Sequence, residues 1–80
     1  MANTTLSGRE LQCLNWVATG KTSWETAAIL GLSERTVNFH IKNACRKLNV
    51  YGRQAGVTQA LRLGLLQSPS GAVKTAAMNA

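Results

Sequence analysis

The fold of this chain is decided by residues 33–48, which read SERTVNFHIKNACRKL. The serine at the start can cap a helix, because its hydroxyl oxygen accepts from the free N–H groups of the first turn. At about 100° per residue the apolar positions fall on one narrow stripe, formed by Val37, Ile41, Ala44 and Leu48. The opposite side carries three cations and an amide, on Arg35, Asn38, Lys42 and Arg46. The stretch predicts a helix, at about residues 34–48, that a small core holds on one side and that offers its other side to a polyanion.

Two helices are predicted before this one. Ser7 and Glu10 have the spacing of a capping box, so the first helix begins there and ends near Thr19. A second capping box precedes a helix over residues 23–30, which Gly31 ends. The second and third helices are joined by a tight turn at Gly31, and the third one is basic. This pair is typical of a helix-turn-helix.

A fourth helix is predicted over residues 53–63, and no strand pattern occurs anywhere in the chain. The fold class is therefore all-α, a four-helix helix-turn-helix domain over residues 6–66 with a disordered C-terminal tail. Residues 1–5 are expected to be a flexible N-terminus. Residues 67–80 are small, polar and aperiodic, so we expect them to form the disordered tail.

The charge distribution indicates a nucleic-acid partner. Nine Lys and Arg residues stand against three acids, which gives a net charge of +6. No acid follows Glu34, whereas most of the basic residues do. A basic excess concentrated on one part of a small domain favours phosphate as the bound group.

The same composition argues against several other classes of protein. Cys13 and Cys45 are isolated and the chain has one histidine, so we expect no metal site and two small core residues. No nucleophile–base pair or carboxylate dyad is present, which predicts no catalytic residue, no cofactor and no enzyme activity. No membrane-length apolar run or signal-peptide core occurs, so a cytoplasmic location is expected.

A longer string of motifs extends from about Leu6 to Leu66. It reads Leu6-Ser7-x-Arg9-Glu10, then Gly20-Lys21-Thr22-x-x-Glu25-x-Ala27, then Gly31-Leu32-Ser33-x-x-Thr36-Val37-x-x-His40, then Asn43 and Arg46-Lys47-Leu48. This string closely resembles the LuxR-type, or GerE-like, helix-turn-helix DNA-binding domain. Residues 22–25 and 36–40 are most similar to the branch in which this domain follows an acyl-homoserine-lactone sensor, the branch of quorum-sensing receptors.

The resemblance implies that the third helix enters the major groove and that the fourth helix pairs in a dimer. In this family the residues two and six positions beyond the motif threonine point at base edges, and here these are Asn38 and Lys42. The helical periodicity independently places both on the polar side. Phe39 is a further candidate, either against a thymine methyl group or packed on Trp24 beside the second helix.

Other residues are expected to contact DNA phosphates rather than bases. The predicted phosphate contacts are Lys21, Thr22, Ser23, Trp24, Arg35, Thr36, Asn43, Arg46 and Lys47. A small apolar ridge on the fourth helix is the predicted dimerisation surface, formed by Val57, Ala60 and Leu61. Part of this ridge is expected to pack on the first helix instead. We expect a homodimer that is weak without DNA and forms on a palindromic operator.

The expected partners are double-stranded DNA and RNA polymerase, with no membrane and no small molecule bound to this domain. The family implies an upstream sensor, so the chain is expected to be either an excised domain or a stand-alone protein. Two alternatives stay open at this point. One is a sigma-factor-like promoter-recognition domain, and the other is an adaptor that places its basic helix against an acidic protein.

Three positions depart from the family pattern, and the first is Gly8, which stands where a proline is common. Thr26 stands where an aliphatic residue is usual, and Gly52 stands where a capping polar side chain is frequent. Gly56 lies inside the fourth predicted helix, where glycine costs about 1 kcal/mol relative to alanine. These substitutions predict a weaker second helix core and a less stable fourth helix.

Overall fold

The computed structural model of the chain describes residues 5–66, which form four α-helices. They are α1 (Gly8–Ala18), α2 (Ser23–Leu30), α3 (Glu34–Leu48) and α4 (Arg53–Arg62). The predicted all-α, four-helix fold is confirmed, and the predicted α1 and α4 each extend one residue too far. The predicted disordered tail, and all but Thr5 of the predicted flexible N-terminus, lie outside the described residues.

The first three helices begin at the capping residues that the sequence indicates. The hydroxyl groups of Ser7, Thr22 and Ser33 each accept a hydrogen bond of 3.1 Å from a backbone N–H three residues later. At α1 and α2 a glutamate completes the capping box by accepting from the backbone N–H of the cap. These local bonds satisfy N–H groups that a helix cannot satisfy itself.

The core forms around α3, which packs against each of the other three helices. The predicted stripe of Val37, Ile41, Ala44 and Leu48 is buried along its full length. Cys13 and Cys45 are buried free thiols, as predicted for small core residues. Within residues 5–66, no helix has the length and apolar character needed to cross a membrane.

Both unexpected glycines near α4 have structural reasons. Gly52 has a φ of 87°, a backbone conformation that a residue with a side chain rarely adopts. Gly56 lies where α3 and α4 approach closely, because a Cβ atom added there would stand 2.6 Å from the Sγ atom of Cys45. The close contact between the helices therefore offsets the helix propensity that Gly56 loses.

Gly56→Ala should destabilise the domain, although alanine is the better helix former. We expect a loss of about 1–3 kcal/mol from overpacking against Cys45, measured by urea unfolding. Gly8→Ala is the matched control, because no atom lies within 4 Å of its added Cβ. The double variant Gly56→Ala, Cys45→Ala should recover part of the loss. Equal stability of the Gly56→Ala and wild-type proteins would contradict this packing.

Thr26 is the one position where the core contains an unpaired polar group within the described residues. Its side chain is fully buried, and its Oγ1 atom has no hydrogen-bond partner. A buried hydroxyl without a partner loses its hydration without compensation. The predicted weakening of the α2 core thus has a specific cause, which is the hydroxyl rather than the shape of the side chain.

Thr26→Val should therefore stabilise the domain. Valine replaces the hydroxyl with a methyl group of similar size, and we expect a gain of about 1–2 kcal/mol in the free energy of unfolding. Thermal and urea unfolding would measure it. Thr26→Ser keeps the hydroxyl and removes the methyl group, so it should lower stability instead. A destabilised Thr26→Val protein would mean that the hydroxyl has a bonding role.

Candidate nucleic-acid interface

The side of α3 opposite the core is exposed and basic. We call it the outward face of α3 and define it as Arg35, Asn38, Phe39, Lys42 and Arg46, all exposed to solvent. Successive members are separated by one, three or four positions, so they form a continuous strip along the helix. Because the buried stripe fixes the rotation of α3, this strip is held outward along about three turns.

Phe39 belongs to this strip. Its side chain is 58% exposed and Trp24 is 68% exposed, so neither ring is buried. The ring contact of Phe39 is an edge contact with His40, at 5.8 Å between centroids. An exposed phenyl group among three cations is unfavourable in water and is available for an apolar contact such as a thymine methyl group. Of the two interpretations of Phe39, this geometry favours the one in which it faces the ligand.

The N-terminus of α2 lies beside the outward face of α3. The Ser23 hydroxyl donates a hydrogen bond of 2.6 Å to Oδ1 of Asn38, which ties the first turn of α2 to the second turn of α3. The backbone N–H groups of Ser23 and Trp24 have no hydrogen-bond acceptor within residues 5–66. Free N–H groups at a helix N-terminus suit a phosphate.

Two features limit which groups at the N-terminus of α2 are available to bind a phosphate. The N–H of Thr22 donates to the carboxylate of Glu25 at 2.9 Å, and this bond lowers the pKa of Glu25. The glutamate therefore stays charged next to the site and occupies one of its amides. Ser23, a predicted phosphate contact, is buried, and its hydroxyl is engaged with Asn38. At Ser23 only the backbone N–H remains for a phosphate.

Asn38 is less free than the sequence indicates. Its Oδ1 accepts from the Ser23 hydroxyl and, at 3.0 Å, from Nη2 of Arg53, at the start of α4. The same Nη2 also donates to the Ser23 hydroxyl. The predicted pairing of Asn38 with both N6 and N7 of adenine needs this oxygen as an acceptor, and the oxygen is already occupied. Sequence reasoning missed Arg53, which the chain order places far from the outward face of α3.

Lys47 is also engaged within the molecule. Its ammonium group lies 3.0 Å from Oε1 of Glu10, a residue that is only 4% exposed. Burial by itself raises the pKa of Glu10, but the bonds from the Ser7 backbone amide and from Lys47 outweigh this effect, and the pKa is lowered. Lys47 thus neutralises a buried carboxylate, and its predicted role as a phosphate contact would have to compete with this ion pair.

The predicted dimerisation ridge is largely internal. Ala60 is fully buried and Val57 is nearly so, because both face the core formed with α1 and α3. Of the three predicted residues only Leu61 is partly exposed. The exposed side of α4 instead carries Gln54, Thr58 and Arg62. Helical periodicity identified an apolar stripe correctly but could not tell which partner covers it.

The remaining predicted contacts divide by exposure. Thr22 is exposed, whereas three others are partly buried, namely Lys21, Thr36 and Asn43.

Tyr51, which the sequence analysis did not consider, is 97% exposed beside an open groove of about 290 Å³ next to Lys42 and Arg46. In the sequence Tyr51 is distinguished only as an aromatic residue between two helices, next to a glycine. No group of metal-ligating side chains occurs among the described residues.

The chain is similar to known proteins in family, in sequence and in structure. The family of bacterial regulatory proteins named luxR matches residues 4–60. The transcriptional activator VanR of Vibrio anguillarum is 49% identical over 61 residues, covering 76% of this chain and 25% of VanR. The quorum sensing-dependent regulator RpaR of Rhodopseudomonas palustris is 50% identical over 62 residues, covering 78% of this chain and 26% of RpaR. The chain therefore spans about a quarter of these relatives' length.

Solved structures give the same result. The transcription factor GerE superposes with a TM-score of 0.74 at 35% identity, covering 78% of this chain and 92% of GerE. Escherichia coli SdiA superposes with a TM-score of 0.74 at 43% identity, covering 81% of this chain and 27% of SdiA. The matched region agrees with the stretch in which the motif string occurs.

Arg46 and Lys47 are adjacent cations with different surroundings, so they make a matched pair of variants. Arg46→Met should reduce the slope of log K against log salt for duplex DNA by about one unit, because one fewer counterion is released. Lys47→Met should leave the slope unchanged and lower stability instead, because it leaves Glu10 without its cation. Fluorescence anisotropy at several salt concentrations measures both slopes. Equal changes in the two variants would place Lys47 on the DNA.

Proposed function

The chain belongs to the luxR family of bacterial regulatory proteins, and on that premise we propose that the outward face of α3 reads base edges in the major groove. The membership agrees with the motif string from Leu6 to Leu66. The relatives are transcriptional regulators, so the prediction of a DNA-binding regulator domain rather than an enzyme is confirmed. The sigma-factor and adaptor alternatives lose their support, because the family match accounts for the same motifs.

One observation carries the proposal, which is the exposure of a basic strip along a helix held in the core on its other side. A helix of this width fits the major groove of B-DNA. In the proposed complex Lys42 donates to guanine O6 and N7, and Phe39 contacts a thymine methyl group. Arg35, Arg46 and the free amides at the N-terminus of α2 contact phosphates and fix the register.

We propose that two copies bind an inverted repeat through α4. The exposed side of α4 is small and mostly polar, with Leu61 at its margin. Stable interfaces between proteins bury about 800 Å² per partner, and a ten-residue helix with a partly exposed Leu61 and an exposed Leu63 at its C-cap offers less. The dimer is therefore weak in solution, and binding to two adjacent half-sites supplies the missing free energy.

The whole protein is proposed to be a transcriptional regulator that responds to a quorum-sensing signal and positions RNA polymerase. The proposal is supported by the relatives, which include an activator and a quorum sensing-dependent regulator four times as long as the matched region. Signal binding belongs to parts of such proteins outside the matched stretch. A regulator that acts on bacterial DNA works in the cytoplasm.

In-vitro selection of bound duplexes from a random library tests the proposed function. We expect a consensus made of two inverted half-sites with centres about one helical turn, or roughly 10 bp, apart. Sedimentation should detect two protein chains on the selected duplex and mainly monomer without DNA. Selection of a single half-site bound by one chain would contradict the dimer but leave the groove contact intact. Failure to select any sequence would contradict the proposal as a whole.

Lys42→Ala should relax specificity at one base pair of each selected half-site. Removal of the two donated bonds is expected to lose about 1–3 kcal/mol of discrimination at that pair. Competition binding with duplexes that vary at each position would measure the loss. Arg46→Ala is the control, because a lost phosphate contact weakens binding to the selected and to scrambled duplexes equally. An equal loss on both duplexes for Lys42→Ala would contradict its role in base recognition.

A further inference from the structure

We propose that Arg53 determines which base Asn38 can recognise, by holding the carboxamide oxygen of Asn38 and leaving its NH₂ group alone to face DNA. Arg53 would act as a positioning residue, since it lies at the start of α4 and acts through another side chain. The inference rests on the proposed contact of α3 with the major groove. It adds a residue from the fourth helix to the determinants of sequence preference.

The three side chains form a closed arrangement of hydrogen bonds. Nη2 of Arg53 carries two hydrogens and donates to Oδ1 of Asn38, at 3.0 Å, and to the hydroxyl of Ser23. The Ser23 hydroxyl itself donates a hydrogen bond to the same Oδ1, at 2.6 Å. A carboxamide oxygen has two lone pairs, and both are used here. No acceptor site on Asn38 remains for a base.

Arg53, rather than Ser23, fixes the orientation of the amide. A guanidinium group has only donors, so the atom of Asn38 beside it must be the oxygen. A serine hydroxyl can donate or accept, so it would tolerate either orientation of the amide. The backbones of α2 and α4 do not approach each other among the described residues, and the side chain of Arg53 spans the gap between them. Ser23 is buried and Arg53 is half-buried, which keeps the arrangement in place.

This geometry restricts the bases that Asn38 can pair with. A free asparagine pairs with adenine by accepting from N6 and donating to N7. With its oxygen occupied, Asn38 can only donate, and the N7 and O6 atoms of guanine both accept. The exocyclic amino group of adenine would face the occupied oxygen and gain nothing. Asn38 should therefore favour guanine, or be indifferent between the purines, where an unrestrained asparagine favours adenine.

The test uses the full 80-residue chain and the duplex obtained by in-vitro selection. The base pair that Asn38 reads is the one whose preference disappears in Asn38→Ala. At that pair, the ratio of affinities for adenine over guanine is compared between wild-type and Arg53→Met proteins. Without Arg53 the amide can turn so that the Ser23 hydroxyl accepts from its NH₂ group and its oxygen faces DNA, which should raise this ratio on the order of tenfold. An unchanged ratio would overturn the inference.

Two matched variants separate positioning from a purely structural effect. Arg53→Lys keeps a positively charged donor and should retain the wild-type ratio. Ser23→Ala frees one lone pair of the Asn38 oxygen, but that lone pair faces the buried site of the missing hydroxyl and Arg53 still holds the oxygen, so the ratio should again be retained. A purely structural role of Arg53 would weaken binding to every duplex equally and leave the ratio constant. The same shift in Ser23→Ala as in Arg53→Met would overturn the assignment of the effect to Arg53.

A second measurement needs no variant of Arg53, in case Arg53→Met does not fold. Adenine at the Asn38 position is replaced by 7-deazaadenine, which lacks N7, or by purine, which lacks the 6-amino group. Loss of N7 should weaken binding several-fold, whereas loss of the amino group should have no effect. Equal losses would show that the oxygen of Asn38 accepts from the base and would overturn the inference.

Failure of this inference can be told apart from failure of the proposed function. If selection yields no preferred sequence, the groove contact itself is wrong and the inference fails with it. If selection succeeds but Asn38→Ala alters no position, α3 still reads DNA through Lys42, and only the role of Arg53 is overturned.

Discussion

Burial of one side of α3 is the constraint on which the rest of the molecule depends. The stripe from Val37 to Leu48 has three helices packed against it, so α3 can neither rotate about its axis nor slide along it. The strip of cations on the other side is thereby held in a fixed direction without any contact of its own. Affinity for DNA is then a property of the surface, whereas orientation is a property of the core.

The polar residues on α3 fall into two groups, those that are available to DNA and those that bond within the molecule. Lys42 and Arg46 are exposed and available to DNA. Lys47 neutralises the buried Glu10, and Asn38 shares its oxygen with Ser23 and Arg53. What separates the two groups is that Asn38 and Lys47 have partners within the molecule. We therefore expect α3 to make fewer DNA contacts than its number of polar and basic residues suggests.

The sequence predicted the fold almost completely, because the information is local. Capping serines, terminal glycines and the 3.6-residue period each act within a few residues, and the helix bounds agree to within one position. The site was predicted in part. Exposure of Lys42 and Arg46 follows from the period of α3 alone, whereas the bonds of Asn38 to Arg53 and of Lys47 to Glu10 join residues 15 and 37 positions apart. Such pairs depend on how helices pack, which periodicity does not specify. For the same reason the stripe on α4 was recognised as apolar, but how much of it the core covers could not be predicted.

The most direct measurement of the central claim is an NMR titration of the ¹⁵N-labelled chain with the selected duplex. The account predicts that the largest amide shifts occur at Arg35, Phe39, Lys42 and Arg46 and at the N-terminus of α2, with cross-peaks between the Phe39 ring and thymine methyl protons. Resonances along the outward face that stay unchanged, while those of another surface shift, would contradict it.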